Sequence, residues 1–190
     1  MLAESKVQSA LKLSRRDFLT SLTGVAVAFA VPGGAIASAT LPVRDRELSF
    51  YNTHTGEQLA ATFWSDGKYL DDGIEAISWL LRDHRAGVAG PMDPKLLDLL
   101  YQLQTSVDQK GQFHVISGYR SPKTNEMLAK RSSAVAKRSY HMQGKAIDVR
   151  LPGFDTQQLR KAALNLKAGG VGYYSKSDFV HLDVGRVRYW

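Results

Sequence analysis

Helix-like and strand-like segments follow one another in this sequence without a regular alternation, and this order restricts the fold more than any other feature. Strands that alternate with helices build parallel, doubly wound sheets, whereas segregated strands build α+β domains. We therefore predict an α+β fold with a small, mainly antiparallel sheet. Apolar spacing predicts helices at 72–85, 94–108, 122–130 and 156–167, a hairpin over 48–63, and further strands at 112–117, 146–151, 171–174 and 179–184.

The first 39 residues have the pattern of an export signal rather than of a folded domain. Arg15 and Arg16 precede an apolar stretch over 22–31, and small residues follow up to Ala39. The stretch has about ten residues, whereas a transmembrane helix needs about 20. The paired arginines resemble the twin-arginine class, which implies export of a folded protein to the periplasm. We predict a signal over 1–39, a single domain over 40–190, and no stable membrane span after the signal is cleaved.

The composition excludes several kinds of chemistry. The chain has no cysteine, which excludes disulfides, cysteine-ligated zinc, iron–sulfur clusters and thiol catalysis. It has no Gly-x-Gly-x-x-Gly or Walker motif, so no nucleotide cofactor is expected. A net charge of +7 favours a polyanionic partner. Export and the lack of nucleic-acid motifs argue against nucleic acid and favour an acidic cell-wall polymer.

Two of the five histidines lie where a metal site can form. Asp148 and His181 each belong to a strand pattern whose opposite face is aliphatic, so both project from the polar face. The Gln143-Gly144 segment can fold His141 back toward Asp148. Two imidazoles and one carboxylate around an open fourth position are typical of catalytic zinc, which lowers the pKa of a bound water to about 7. The same spacing also fits polar residues on a solvated sheet face.

The segment 139–148 matches the pattern Ser-x-His-x-x-Gly-x-Ala-x-Asp without a mismatch. This pattern resembles the zinc peptidases of the D-alanyl-D-alanine carboxypeptidase and hedgehog-like superfamily. The resemblance implies one zinc ion held by His141, Asp148 and His181, helices packed on one side of the sheet, and action on the peptide stems of peptidoglycan. Within this superfamily the chain resembles the murein endopeptidase K-like enzymes, and the resemblance rests on 52–57, 116–121, 137–141, 168–174, 179–183 and Trp190.

The resemblance also suggests catalytic residues around the metal. Arg120 corresponds to an arginine that faces the scissile carbonyl in the dipeptidase branch, where it can stabilise the oxyanion; a surface salt bridge is its other interpretation. Relatives often place an acidic general base three residues before the last histidine ligand, which is Asp178 here. Asp183 shares the strand face of His181, so we predict Asp183 as the base, with Asp178 as the rival. Asp183 could instead orient an imidazole. Further pocket walls are predicted at Ser117, Tyr119 and Tyr140.

The charge near the predicted site fits an acidic peptide substrate. Nine basic residues and only two acidic ones lie between Lys110 and Arg150. The similar enzymes cleave crosslinks between two diaminopimelate residues, which makes a zinc-dependent murein endopeptidase the expected function. A carboxypeptidase that trims stem peptides uses the same ligand pattern, and a non-catalytic zinc module that binds the wall is a further alternative. An exported redox protein is disfavoured by the missing cysteines and nucleotide motifs.

Overall fold

The computed structural model describes residues 45–108, 111–133 and 135–190, so the predicted signal lies outside the described residues. The longest helix of these ranges has 13 residues, and none of their helices is both long and apolar enough to cross a bilayer. The elements are β1 (Arg46–Asn52), β2 (Gln58–Ser65), β3 (Lys68–Tyr69), α1 (Asp71–Leu80), α2 (Pro94–Ser106), β4 (Phe113–Ser117), α3 (Pro122–Arg131), β5 (Ala146–Arg150), α4 (Thr156–Leu166), β6 (Gly170–Tyr174), β7 (Phe179–Asp183) and β8 (Arg188–Tyr189).

The strands of the described residues form one sheet in the order β3-β2-β1-β4-β5-β7-β6-β8. Five neighbouring pairs are antiparallel, and the pairs β1–β4 and β6–β8 are parallel. The α+β fold and the mainly antiparallel sheet are therefore confirmed, and the predicted hairpin forms β1 and β2. The sheet is mixed and larger than predicted. Its two edge strands, β3 and β8, have two residues each, too few to produce a periodic pattern.

The first helix ends earlier than the predicted residue 85. Helix α1 ends at Leu80 because the chain beyond it is held by other partners. The carbonyl of Leu81 accepts a hydrogen bond from the backbone of Tyr119 at 2.7 Å, and the backbone of Asp83 pairs with that of Val88 in a tight turn. These partners lie outside the helical pattern, so apolar spacing alone could not place the helix end.

The core covers the aliphatic face of the two central strands. Ile147 and Val149 of β5 and Val180 and Leu182 of β7 are completely buried in one apolar cluster. Because side chains alternate along a strand, the residues between them project from the opposite face. Helix α3 contributes no residue to this cluster. The predicted packing of helices on one side of the sheet is therefore observed for three of the four described α-helices. Those three helices contribute Ile77 from α1, Leu97 from α2 and Leu159 from α4.

Candidate metal centre

A short 3₁₀ turn, Tyr140–Gln143, presents the first histidine of the predicted site. The turn begins where the hydroxyl of Ser139 accepts a hydrogen bond from the backbone N–H of His141 at 3.3 Å. It ends at Gly144, whose φ of +64° is in the left-handed region. A Cβ atom at this position would lie only 1.9 Å from the carbonyl oxygen of Pro91. The serine and glycine of the motif are therefore explained by the turn that positions His141.

The other two residues of the site are paired across neighbouring strands. Asp148 of β5 lies directly opposite His181 of β7 in the antiparallel register. Their side chains meet on the polar face, with His181 Nδ1 2.8 Å from Asp148 Oδ1. His141 Nε2 lies 3.3 Å from His181 Nδ1 and 3.4 Å from Asp148 Oδ1. The structure thus brings together the three residues that the sequence predicted as ligands.

The chemistry and spacing of these atoms fit a metal ion. Among the described residues, His141, Asp148 and His181 form a buried group of three that could hold one. Zinc–nitrogen bonds of 2.0–2.1 Å in a tetrahedral site place neighbouring ligand atoms about 3.3–3.4 Å apart. Two of the three observed separations have this value, and the third is shorter by about half an ångström. Small side-chain adjustments would therefore place the three ligand atoms at three corners of a tetrahedron.

Each imidazole is oriented by a hydrogen bond on the side away from the cluster. The Nδ1–H of His141 donates to the carbonyl oxygen of Gly118 at 2.8 Å. The Nε2–H of His181 donates to the carboxylate of Asp183 at 3.1 Å. These bonds leave His141 Nε2 and His181 Nδ1 as the free ring nitrogens that face Asp148. A partner on the outer nitrogen fixes the tautomer and raises the basicity of the ligating nitrogen.

The charges of the cluster are strongly coupled. Burial raises the pKa of Asp148, but the neighbouring imidazoles of His141 and His181 outweigh burial and hold this pKa well below its usual value. Burial lowers the pKa of His181, but hydrogen bonds to Asp148 and Asp183 reverse that effect and raise it to about 9. In the metal-free protein at neutral pH, His181 therefore carries a second proton, on the Nδ1 atom that faces Asp148. A metal ion must displace this proton, because only neutral imidazole ligates.

Asp183 occupies a different place from the one that strand alternation predicted for a general base. It shares the face of His181, but its carboxylate lies behind the ring rather than at the open side of the cluster. It is completely buried and accepts hydrogen bonds from Arg188 and from the backbone of Gly170 and Gly185 as well. Every contact is with a donor, so the carboxylate is fully used in holding the imidazole and Arg188.

Asp178 lies outside the cluster as well. It follows a 3₁₀ turn with a φ of +51°, and its carboxylate accepts a hydrogen bond from the hydroxyl of Thr156 at 2.6 Å. Its other oxygen is 3.6 Å from Arg150, and 60% of its side chain is exposed. Neither predicted base is therefore placed at the ligating atoms. Strand alternation could not reveal this, because it gives the face of a residue but not the direction of its side chain.

Arg120 lies beside the cluster, as the sequence predicted. Its guanidinium is 3.9 Å from Asp148 Oδ2, and its side chain is only 12% exposed. It donates hydrogen bonds to the hydroxyl of Ser117 at 3.2 Å and to the side-chain oxygen of Asn125 at 3.3 Å. Its backbone N–H donates to the carbonyl of His141. Arg120 is thus a held cation at the edge of the site and not a surface salt bridge.

The cluster opens into a cavity of about 460 Å³. Tyr140 lines this cavity as predicted, whereas Ser117 supports Arg120 and Tyr119 lies against Gly90. Sequence reasoning missed Arg188, because it lies in a two-residue strand that has no periodic pattern. For Trp190, which also lines the cavity, the family resemblance was the only signal in the sequence. The other walls include Val135, Ala136, Arg138, Tyr174 and Phe179.

Comparisons with known proteins identify one matching family model and several relatives. A family model described as peptidoglycan L,D-endopeptidase MepK matches residues 40–190. The protein of that name from Escherichia coli (strain K12) is 42% identical over 178 residues, which cover 93% of this chain and 97% of the relative. A probable peptidoglycan L,D-endopeptidase MepK from Haemophilus influenzae is 38% identical over 179 residues, 93% of this chain and 95% of the relative. No solved structure matches the chain.

Proposed function

Because the chain belongs to the family of the peptidoglycan L,D-endopeptidase MepK, we propose that it is a zinc-dependent endopeptidase that cleaves peptide crosslinks of peptidoglycan. The bond we propose joins two diaminopimelate residues, as the L,D-endopeptidase name of the relatives suggests. The observation that carries the proposal is the triangle of His141, Asp148 and His181 at the base of a cavity large enough for a peptide. A match over the whole of residues 40–190 supports extending the family's activity to this chain.

We propose zinc as the ion because two imidazole nitrogens and one carboxylate oxygen are the ligand set of many catalytic zinc sites. When bound, zinc would polarise the scissile carbonyl and activate a water molecule at neutral pH. His141 and His181 hold their ligating nitrogens in place through Gly118 and Asp183.

Arg120 is proposed to stabilise the negative charge that develops on the carbonyl oxygen. Its guanidinium is already beside the cluster and is fixed by Ser117 and Asn125, so little reorganisation accompanies the reaction. The loss of one such contact typically costs about 2.7–4 kcal/mol in transition-state stabilisation.

Proton transfer is proposed for Asp178, and an orienting role for Asp183. Asp183 is completely buried behind His181, where it cannot meet the substrate. Asp178 directly precedes Phe179, which lines the cavity, and within the described residues its exposed side chain is held by Thr156 and Arg150 alone. A rotation of this side chain toward the cavity would exchange those contacts for one with the attacking water. A general base typically contributes a factor of about 10²–10⁴ in rate.

The periplasm is the proposed location, reached by the twin-arginine route. The support is the sequence pattern around Arg15 and Arg16, together with relatives named for action on peptidoglycan. The family match begins at residue 40, directly after the predicted signal, which supports a domain over 40–190.

Digestion of purified sacculi with the zinc-loaded protein, followed by separation of the muropeptides, tests the proposed function. We expect crosslinked dimers to decrease and the corresponding monomers to increase. Shortened monomers with intact dimers would indicate a carboxypeptidase instead. An unchanged profile together with binding to sacculi would indicate a wall-binding module. Asp148→Asn serves as the control, because it removes a ligand with little change in volume.

A further inference from the structure

Three arginines line the cavity beside the metal cluster, and they differ in what they already bind. Arg188 donates two hydrogen bonds to the buried carboxylate of Asp183. Arg120 donates to Ser117 and Asn125. Arg138 is exposed and, within the described residues, has no hydrogen bond or ion pair. One guanidinium in the cavity wall is thus available to a ligand.

The cavity has a strong excess of positive charge. Asp148 is the single acidic residue among its described lining residues, against the three arginines. Asp148 is engaged with two imidazoles, and Asp183 is fully buried behind the wall. A cavity with this balance attracts an anionic ligand. A bound metal ion would add to the positive charge.

The backbone that carries Arg138 is fixed on both sides. On one side, the buried amide of Asn125 donates hydrogen bonds to the carbonyl oxygens of Ala136 and Lys137, at 3.1 and 3.3 Å. On the other side, Ser139 begins the 3₁₀ turn that presents His141. The backbone of Arg138 therefore has a fixed position relative to His141, the predicted metal ligand three residues later.

The same asparagine links this wall to Arg120. The side-chain oxygen of Asn125 accepts from Arg120, while its nitrogen holds the loop before Arg138. Asn125 is only 2% exposed, so one buried side chain positions both Arg120 and the loop before Arg138. Preformed placement of this kind lowers the entropic cost of binding.

We propose that Arg138 binds a free carboxylate of the substrate, next to the bond that is cleaved. This inference rests on the proposed function and names a determinant of its specificity. Each end of diaminopimelate carries a carboxyl group and an amine, so a crosslink between two such residues retains a free carboxylate close to the scissile bond. A planar guanidinium binds a carboxylate through two parallel hydrogen bonds, a geometry that lysine cannot reproduce.

The inference predicts that the protein distinguishes a free carboxylate from an amide at this position. The test uses two defined crosslinked dimers, one with free diaminopimelate carboxylates and one in which they are amidated. For the wild type we expect a KM about tenfold to a hundredfold lower for the free dimer, because hydrogen bonds between charged groups are worth this much. Arg138→Gln should raise the KM for the free dimer to that for the amidated dimer, with kcat little changed. Arg138→Lys should recover only part of the preference.

Lys137→Gln is the matched control, because it removes the same charge from a neighbour whose side chain does not line the cavity. Its preference should stay close to that of the wild type. Zinc content and thermal unfolding of each variant show whether it is folded. If folded Arg138→Gln keeps the wild-type preference, or if Lys137→Gln loses it equally, the proposed carboxylate site is wrong.

Calorimetric titration of the chelated, metal-free protein with both dimers separates this inference from the proposed function. A tighter binding of the free dimer that depends on Arg138 supports the carboxylate site without any turnover. If the zinc-loaded wild type cleaves neither dimer but shows this binding preference, the proposed function fails and the carboxylate site stands. Equal binding of the two dimers overturns the carboxylate site.

Discussion

Replacement of Asp183 by asparagine separates an orienting carboxylate from a general base. The two oxygens of Asp183 accept five hydrogen bonds, from His181, twice from Arg188, and from the backbone of Gly170 and Gly185. An asparagine of the same shape has one oxygen and one NH₂ group. Whichever way the amide is turned, its NH₂ group faces groups that are themselves donors.

The variant should weaken metal binding. If the amide oxygen stays with Gly170 and Gly185, the NH₂ group faces His181 Nε2 and favours the tautomer with a proton on Nδ1. Metal binding at Nδ1 instead requires the remaining ring proton to be on Nε2, where it would face the NH₂ group and lack the acceptor that Asp183 provides. The loss of a carboxylate that orients a ligand typically costs about 10–100-fold in metal affinity or activity.

The variant should also lower the free energy of unfolding. Breaking a buried ion pair costs about 3–5 kcal/mol. The Arg188 side chain is 29% exposed and can still reach water, so about 2–4 kcal/mol is expected here. Asp178→Asn is the matched control, because its carboxylate lies outside the metal cluster and is more than half exposed.

Competition with a chromophoric chelator measures zinc affinity, chemical denaturation measures stability, and cleavage of a crosslinked dimer measures turnover. We expect Asp183→Asn to bind zinc more weakly and to unfold more easily. We expect Asp178→Asn to bind zinc normally and to lose about 10²–10⁴-fold in turnover. An Asp183→Asn protein with normal zinc affinity and almost no turnover would instead identify Asp183 as the general base.

Three further predictions concern Arg120, His181 and the signal. Arg120→Ala should lower kcat by about 10²–10³-fold while zinc binding is retained; an unchanged kcat in dimer cleavage would exclude the oxyanion role. Since the pKa of His181 is raised to about 9 in the metal-free protein, zinc binding at pH 7 should release about one proton from His181. This contribution should vanish as the pH rises above 9, where the proton lost by a zinc-bound water remains. Calorimetry in buffers of different ionisation enthalpy measures the proton count, and a count of zero at pH 7 would contradict the proposed protonation state. Changing Arg15 and Arg16 together to lysine should abolish delivery to the periplasm, as measured by fractionation; unchanged delivery would point to the general secretory route.

The ligands could be predicted from sequence because each depends on local geometry. Gly144 closes the turn that carries His141, and strand alternation puts Asp148 and His181 on the polar face. The position of each residue along its own segment was enough to place Asp148 and His181 on one polar face. The family resemblance then favoured a metal site with His141 over a solvated sheet face. The strands β5 and β7 then needed only to be neighbours.

The surroundings of the ligands could not be predicted, because they depend on contacts between distant segments. Arg188 lies in a two-residue strand that pairs with β6, and from there it donates to the carboxylate of Asp183. Asn125 reaches both Arg120 and the loop before Arg138. No periodicity within one segment reports such contacts.

Titration of the metal-free protein with zinc tests whether cleavage depends on a metal ion at the His141, Asp148 and His181 cluster. Zinc content and cleavage of a defined crosslinked dimer are measured on the same samples. We expect cleavage to rise in proportion to bound zinc and to stop rising at one ion per chain. We also expect His141→Ala and His181→Ala to lose zinc and cleavage together. Full cleavage by a preparation that contains no metal, or by either histidine variant, would contradict this dependence.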